Sequence, residues 1–224
     1  MNTFQFNDFY SSDIGLIVKN LPDFGKAEKN IDIVEVPGRP GTLHYDYETH
    51  KAYKTEFDCY CRYDQLAQLY TAVNGNGKLI FNDDSIYHDV YIYGKIKEEY
   101  FSHDIAEINI PLEVQPYATD IQESTAAITK DTLFIYNGDV KVFPYIEISG
   151  TRRHHIVIGD DSFTVDCGKG TVHIDCDNMY ILHDNGTIAN DCFEGTIPHL
   201  IPGEQMIIND EAEIKMRWRN KWMR

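Results

Sequence analysis

The chain has 224 residues, 42% of them hydrophobic and 25% charged, with 36 acidic against 20 basic side chains and a net charge of −16. That length supports two small domains, each burying its own core. No window approaches the run of about eighteen apolar residues that a membrane helix needs, and the negative balance opposes nucleic-acid binding, which requires a cationic face.

The opening "MNTFQFNDFY" has no basic region ahead of an apolar one, so no export signal is expected. Cys59, Cys61, Cys167, Cys176 and Cys192 are an odd set with one C-x-C pair and no C-x-x-C, which points to free thiols in a reducing compartment. Period-two alternation of aromatic and β-branched residues in "TFQF", "IGLIV", "NIDIVEV" and "AYKTEFDCYCRY" predicts a mainly β protein.

Between the second pair of these runs lies "VEVPGRPGTLHYD". Pro37 and Pro40 fix φ and lack an N–H, while Gly38 and Gly41 admit positive φ, so Pro37–Gly41 reads as a stiff turn tipped by Arg39.

One segment reads as a helix. In "RYDQLAQLYTAVNGNG" the residues Leu66, Leu69, Tyr70 and Val73 recur at helical spacing, Asp64 suits an N-cap and Asn74-Gly75 a stop, predicting a helix over about 65–73. "KLIFND" follows, and then "YHDVYIYGKIKEEYF" and "DIAEINIPLEVQP" predict a long ribbon over about 87–115 that turns near Ser102–Asp104. Periodicity fades in "YATDIQESTAAITK", giving a first domain over 1–120, a linker over 121–130 and a second domain over 131–224. Seven short apolar runs in that second part, from "TLFIYN" to "MIIND", are punctuated by turn signals and predict a β-sandwich.

The search for chemistry yields little. "HIDCDNMYILHD" places His173 and His183 near enough for a metal site to be conceivable, but alternation splits its donors between two faces. The "RRHH" run, Arg152–His155, reads as an anion site or as a solvated loop, and Asp83-Asp84 as turn formers. No nucleophile elbow, phosphate loop or dinucleotide fingerprint is present, so no catalytic residue, metal ligand or cofactor is expected. In the ending "EIKMRWRNKWMR", Lys215, Arg217, Arg219, Lys221 and Arg224 either line the wet face of a last strand or dock on an acidic neighbour. Trp218 is read as core and Trp222 as the freer indole, able to stack on a sugar.

The order of "FQFNDFYSSDIGLIV", "EVPGRPG", a helix leading into "GNGKLIFNDD", "YHDVYIYGKIKEE", "VFPYIEISG", "IPGEQMI" and "IKMRWR" resembles the distal tail (Dit) proteins of long-tailed, non-contractile bacteriophages over nearly the whole chain. The resemblance implies a virion protein assembled in the bacterial cytoplasm, with an N-terminal β-sheet or barrel domain and a galectin-like C-terminal β-sandwich. It implies a homohexameric ring at the tail tip, lying between the major tail tube protein and the tail-associated tip protein, and carrying a receptor-binding protein or other adhesion device. DNA would pass through the ring without specific binding, with no membrane insertion and no catalysis. Under this resemblance Pro37, Gly38, Arg39, Pro40 and Gly41 are the candidate subunit interface, and Arg217, Arg219, Lys221 and Trp222 the candidate partner-docking residues. Pro40 stands where relatives frequently carry a polar residue, and the chain lacks room for an inserted carbohydrate-binding module. The alternative function is a carbohydrate-binding module gripping a cell-wall saccharide through the second domain and Trp222.

Overall fold

The computed structural model describes residues 2–168 and 170–223. Its chain contacts separate a first unit, the residues through Thr119 together with Met223, from a second, Asp120–Trp222.

The first unit holds β1 (Phe4–Phe6), β2 (Phe9–Tyr10), β3 (Ile17–Asn20), β4 (Lys29–Glu35), β5 (Thr42–His50), β6 (Tyr53–Arg62), α1 (Leu66–Ala72), β7 (Gly75–Phe81), β8 (Ile86–Ile92), β9 (Lys97–Tyr100) and β10 (Ile105–Asp120). Its main sheet runs β2-β1-β7-β8-β10-β6-β3, with β9 also on β10. A bridge between Asn2 and Val18 joins the lead-in of β1 to β3, so the sheet curls until its two ends meet. Alternation explains the core: Phe57, Cys59 and Cys61 of β6 and Ile108, Ile110 and Leu112 of β10 all point inward. Phe4 meets Phe57 edge-on at 5.2 Å and Phe57 meets Phe81 likewise at 5.3 Å.

α1 closes that core with Leu66, Leu69 and the following Val73, all buried. Two details differ from the sequence expectation. Tyr70 leans outward, its hydroxyl donating to Glu98, and Asp64 does not cap the helix because Arg62 holds it by two hydrogen bonds at 2.8 and 3.1 Å. The expected ribbon is present as the β9–β10 hairpin, closed by Ser102 N–H donating to Ile105 O, while Tyr93–Ile96 interrupt its first arm.

The second unit holds β11 (Ser124–Ile128), β12 (Thr132–Tyr136), β13 (Tyr145–Ser149), β14 (Arg153–Ile158), β15 (Asp161–Asp166), β16 (Thr171–Asp175), β17 (Tyr180–His183), β18 (Phe193–Gly195), β19 (Gly203–Asn209) and β20 (Glu213–Trp218). Two antiparallel sheets, β11-β20-β13-β16-β17 and β12-β19-β14-β15-β18, enclose one core containing Ile146, Ile148, Val165, Ile174, Ile207 and Met216. This is a β-sandwich. Part of the stretch expected as a linker, 121–130, is strand: β11 pairs with β20 in the register Ala126↔Met216 and Ile128↔Ile214. Small alanines weaken the hydrophobic signal of an edge strand without weakening its backbone ladder.

Candidate functional site

The Pro37–Gly41 turn caps a hairpin in which β4 and β5 pair only with each other. Gly38 and Gly41 both have φ of 84°, and Arg39 N–H donates to Val36 O at 3.1 Å, so the chain reverses in a hydrogen-bonded turn. All five turn residues are exposed, which leaves the turn without the packing it would need to brace the helix. Among the described residues Arg39 has no ion-pair partner.

Register sorts the hairpin's two faces, because directly opposed residues share a face. Asp32 opposes Tyr45 and Val34 opposes Leu43, so Val34, Leu43, Tyr45 and Tyr47 form one apolar face. Ile33 opposes His44 and Glu35 opposes Thr42 on the other, more polar face. Tyr45 and Tyr47 meet edge-on at 4.8 Å, and the Tyr47 hydroxyl donates to Asp32 Oδ2 at 2.6 Å. The Lys29 ammonium, 2.7 Å from Asp46, holds that carboxyl below its usual range. At its base a 2.9 Å hydrogen bond between His50 Nδ1 and the Tyr117 hydroxyl ties the hairpin to β10, and Lys51 N–H donating to Glu28 O closes the open end of its own two strands.

This arm exposes apolar groups that a folded chain ordinarily covers. Tyr45 is 64% and Ile33 63% exposed, and Val34, Leu43 and Tyr47 are exposed with them. A two-stranded ribbon is marginal in water unless something packs on it. The sequence revealed the turn and its arginine; the apolar face was hidden, because alternation alone does not say that both faces of a strand lie in solvent.

The basic terminal segment divides. Lys215 and Arg217 are exposed on β20, the Arg217 guanidinium lying 4.1 Å over the Tyr145 ring. Arg219 donates to Asp120 O and Ile121 O, Lys221 N–H donates to the Tyr136 hydroxyl, and Trp222 Nε1 donates to Asp120 Oδ1 at 2.6 Å. Trp222 is half-buried, and its indole N–H is committed to Asp120. Trp218 packs on Phe134 at the sandwich core, as its place on a last strand implies. Arg224 lies outside the described residues.

The remaining candidates have local explanations. Arg152 pairs with Asp210 and Glu211, Arg153 with Glu194, and His154 is buried against Asp210 O, so "RRHH" offers no free anion site. Asp83 has φ of 55° in the exposed turn after β7. His173 Nε2 contacts Asp184 Oδ1 at 2.9 Å, and because His173 opposes Leu182 while His183 opposes Val172, the two histidines take opposite faces and do not converge. His183 instead meets Cys192, a residue to which no sequence spacing pointed.

No protein-family model matches the chain, and no curated protein matches it. Among solved structures, the Dit protein of phage SPP1, described as a paradigm of the hub adsorption apparatus in phages infecting Gram-positive hosts, superposes with a TM-score of 0.81 at 14% identity, over 99% of each chain. Two structures of the phage p2 baseplate in its activated conformation give TM-scores of 0.46 and 0.47 at 10% identity, over 97% of this chain and 98% of theirs. This chain has, over its whole length, the fold of the SPP1 Dit hub protein.

Proposed function

We propose that the chain is a structural hub of a phage tail tip, closing as a ring of six copies that carries no catalysis. The observation that carries this reading is the β4–β5 arm, which sets an apolar face in solvent on a unit that shares the SPP1 hub fold. A heterologous ring needs each subunit to offer a patch at a fixed angle to a different patch on its neighbour. The proline-stiffened turn loses little further entropy on docking, and Arg39 brings a planar fork suited to a carboxylate across the joint.

In this reading the ring sits between the major tail tube protein and the tail-associated tip protein at the distal end of the virion tail. Arg217 remains as an exposed cation for an acidic partner, Lys215 being 3.4 Å from Glu213, and the second unit offers a platform for a receptor-binding protein. A net charge of −16 suits a channel wall that repels DNA phosphates and lets the polymer slide. For the saccharide-binding alternative, the indole N–H of Trp222 is already taken by Asp120, which removes it as a donor to a sugar hydroxyl.

A photo-crosslinking residue in place of Tyr45 tests the assignment. Capture of a second copy of this chain in the assembled particle is the expected result. Capture confined to the probe's own chain, in particles that contain the protein, rejects it.

A further inference from the structure

After β17 the chain turns back tightly on itself. Gly186 N–H donates to His183 O at 2.8 Å, His183 N–H to Thr187 O at 2.9 Å, and Asn185 Oδ1 accepts from both the Thr187 amide and its hydroxyl. The return limb re-enters the sheet edge, with Leu182 bridging Ile188 and Ala189 N–H donating to Ile181 O. A single 3₁₀ turn, Asn190–Cys192, then swings Asp191 and Cys192 over His183.

The result is a convergence of three donors of different kinds. One ligand atom each from His183, Asp191 and Cys192 lies within 4.8 Å of the others, and Cys192 Sγ is 3.8 Å from His183 Nε2. Sulfur and imidazole nitrogen bound tetrahedrally to one zinc ion stand about 3.6 Å apart, from their usual bond lengths. Cys192 and His183 therefore sit near ligand spacing with Asp191 within reach of them, and the hydrogen bonds of the loop hold the turn in place. We propose that His183, Asp191 and Cys192 form a binding site for a zinc-class divalent cation, with water completing the coordination on the exposed Asp191 side.

The donor set selects the metal. A thiolate and an imidazole with a single carboxylate suit zinc or cobalt(II), whereas calcium and magnesium require oxygen-rich shells. A Cys–His nucleophile is the competing chemistry for such a pair. It is disfavoured because the Asp191 carboxylate converges on the pair, a negative group that serves a cation and not an activated thiolate. The same negative surroundings attract a dication, which displaces the thiol proton on binding.

The location gives the ion a structural task. His183 ends β17, the edge of one sheet, and Cys192 immediately precedes β18, the edge of the other. A cation held between them would clasp the crossover that links the two layers of the sandwich. This inference is independent of the hub reading and concerns the second unit alone.

The test is cobalt(II) titration of the full-length, chelator-treated protein. A thiolate-to-cobalt charge-transfer band saturating at one equivalent and displaced by zinc is expected, and zinc should raise the melting temperature of the second unit. Cys192→Ser should abolish the band, and Cys192→Ser, His183→Asn and Asp191→Asn should each weaken zinc binding by roughly tenfold or more. His173→Asn, on the opposite face, should leave both unchanged. Asp191→Asn changes only an exposed side chain and so reads out the site should the other variants fail to fold. Absence of the band in the parent protein, its persistence in Cys192→Ser, or unchanged zinc affinity in Asp191→Asn overturns the proposal.

Discussion

The Tyr47 hydroxyl donates to Asp32 Oδ2 at 2.6 Å across the β4–β5 hairpin, tying the carboxylate of the apolar face into its aromatic row. That bond satisfies one oxygen of Asp32 but leaves its charge, so whatever covers the face must meet the carboxylate with a cation or leave it wet. Burying a large apolar side chain contributes about 1.5–3 kcal/mol. Tyr45→Ala should therefore weaken each subunit joint by roughly ten- to hundredfold while leaving the monomer's melting unchanged. Sedimentation against concentration checks this, and unchanged assembly would remove the hairpin from the interface. Arg39→Ala should weaken assembly in the same direction.

Acid sensitivity should track Asp58. Asn109 Nδ2 donates to its Oδ1 at 2.9 Å and Asn20 Nδ2 to its Oδ2 at 3.2 Å, so one carboxylate on β6 bonds to residues of β10 and β3. The Asn109 hydrogen bond, followed by that from Asn20 and by the Lys19 and Lys97 charges, holds the carboxyl below its usual range against a desolvation cost. A lowered folded-state value means the stabilisation is complete above the unfolded value, near pH 4, and is lost as pH falls through the folded one. Asp58→Asn should flatten the acid limb of the first unit's stability profile. Thermal melts between neutral pH and about pH 3 measure it, and an unaltered limb would contradict the assignment.

Tyr136 is the fully buried polar pivot of the second unit. Its hydroxyl donates to Val140 O at 2.8 Å and accepts from Lys221 N–H at 3.2 Å. Tyr136→Phe leaves both partners unsatisfied and should cost about 1–3 kcal/mol in that unit's urea transition. A change within about 0.5 kcal/mol would mean that water replaces the hydroxyl.

Thiol labelling should be ordered. Burial pushes Cys61 and Cys167 up to about 11 and Cys176 up to about 12, and raises Cys59 further in the same direction. Cys192 is half-buried and reaches solvent. Alkylation of the folded, chelator-treated protein at neutral pH, read by peptide mass, should mark Cys192 first and the other four only on unfolding. Equal rates at Cys59 and Cys192 would contradict the burial pattern.

What the sequence disclosed follows from where water is. Strands with one wet face, such as Phe57-Cys59-Cys61 or Ile146-Ile148, announce themselves by alternation, and the helix by Leu66, Leu69 and Val73. β11 escaped because Ala126 and Ala127 bury too little area to leave a pattern, although their backbone pairs fully. Tyr70 was misplaced because an aromatic at the edge of a helical stripe can lean either way, and the Glu98 carboxylate draws it outward. The Pro37–Gly41 turn was legible from residue chemistry, but the solitude of its hairpin is a property of topology. Cys192 meets His183 only because a loop closes on itself, and no fixed spacing encodes that closure.

The central claim is that rigid β-units with an exposed apolar arm close around a hollow axis. Negative-stain imaging of the purified protein, alone and mixed with its tail-tip partner, tests it most directly. The account predicts six-fold rings with a central hole that vanish in Tyr45→Glu. Single isolated particles under both conditions, at concentrations where the partner is bound, would contradict it.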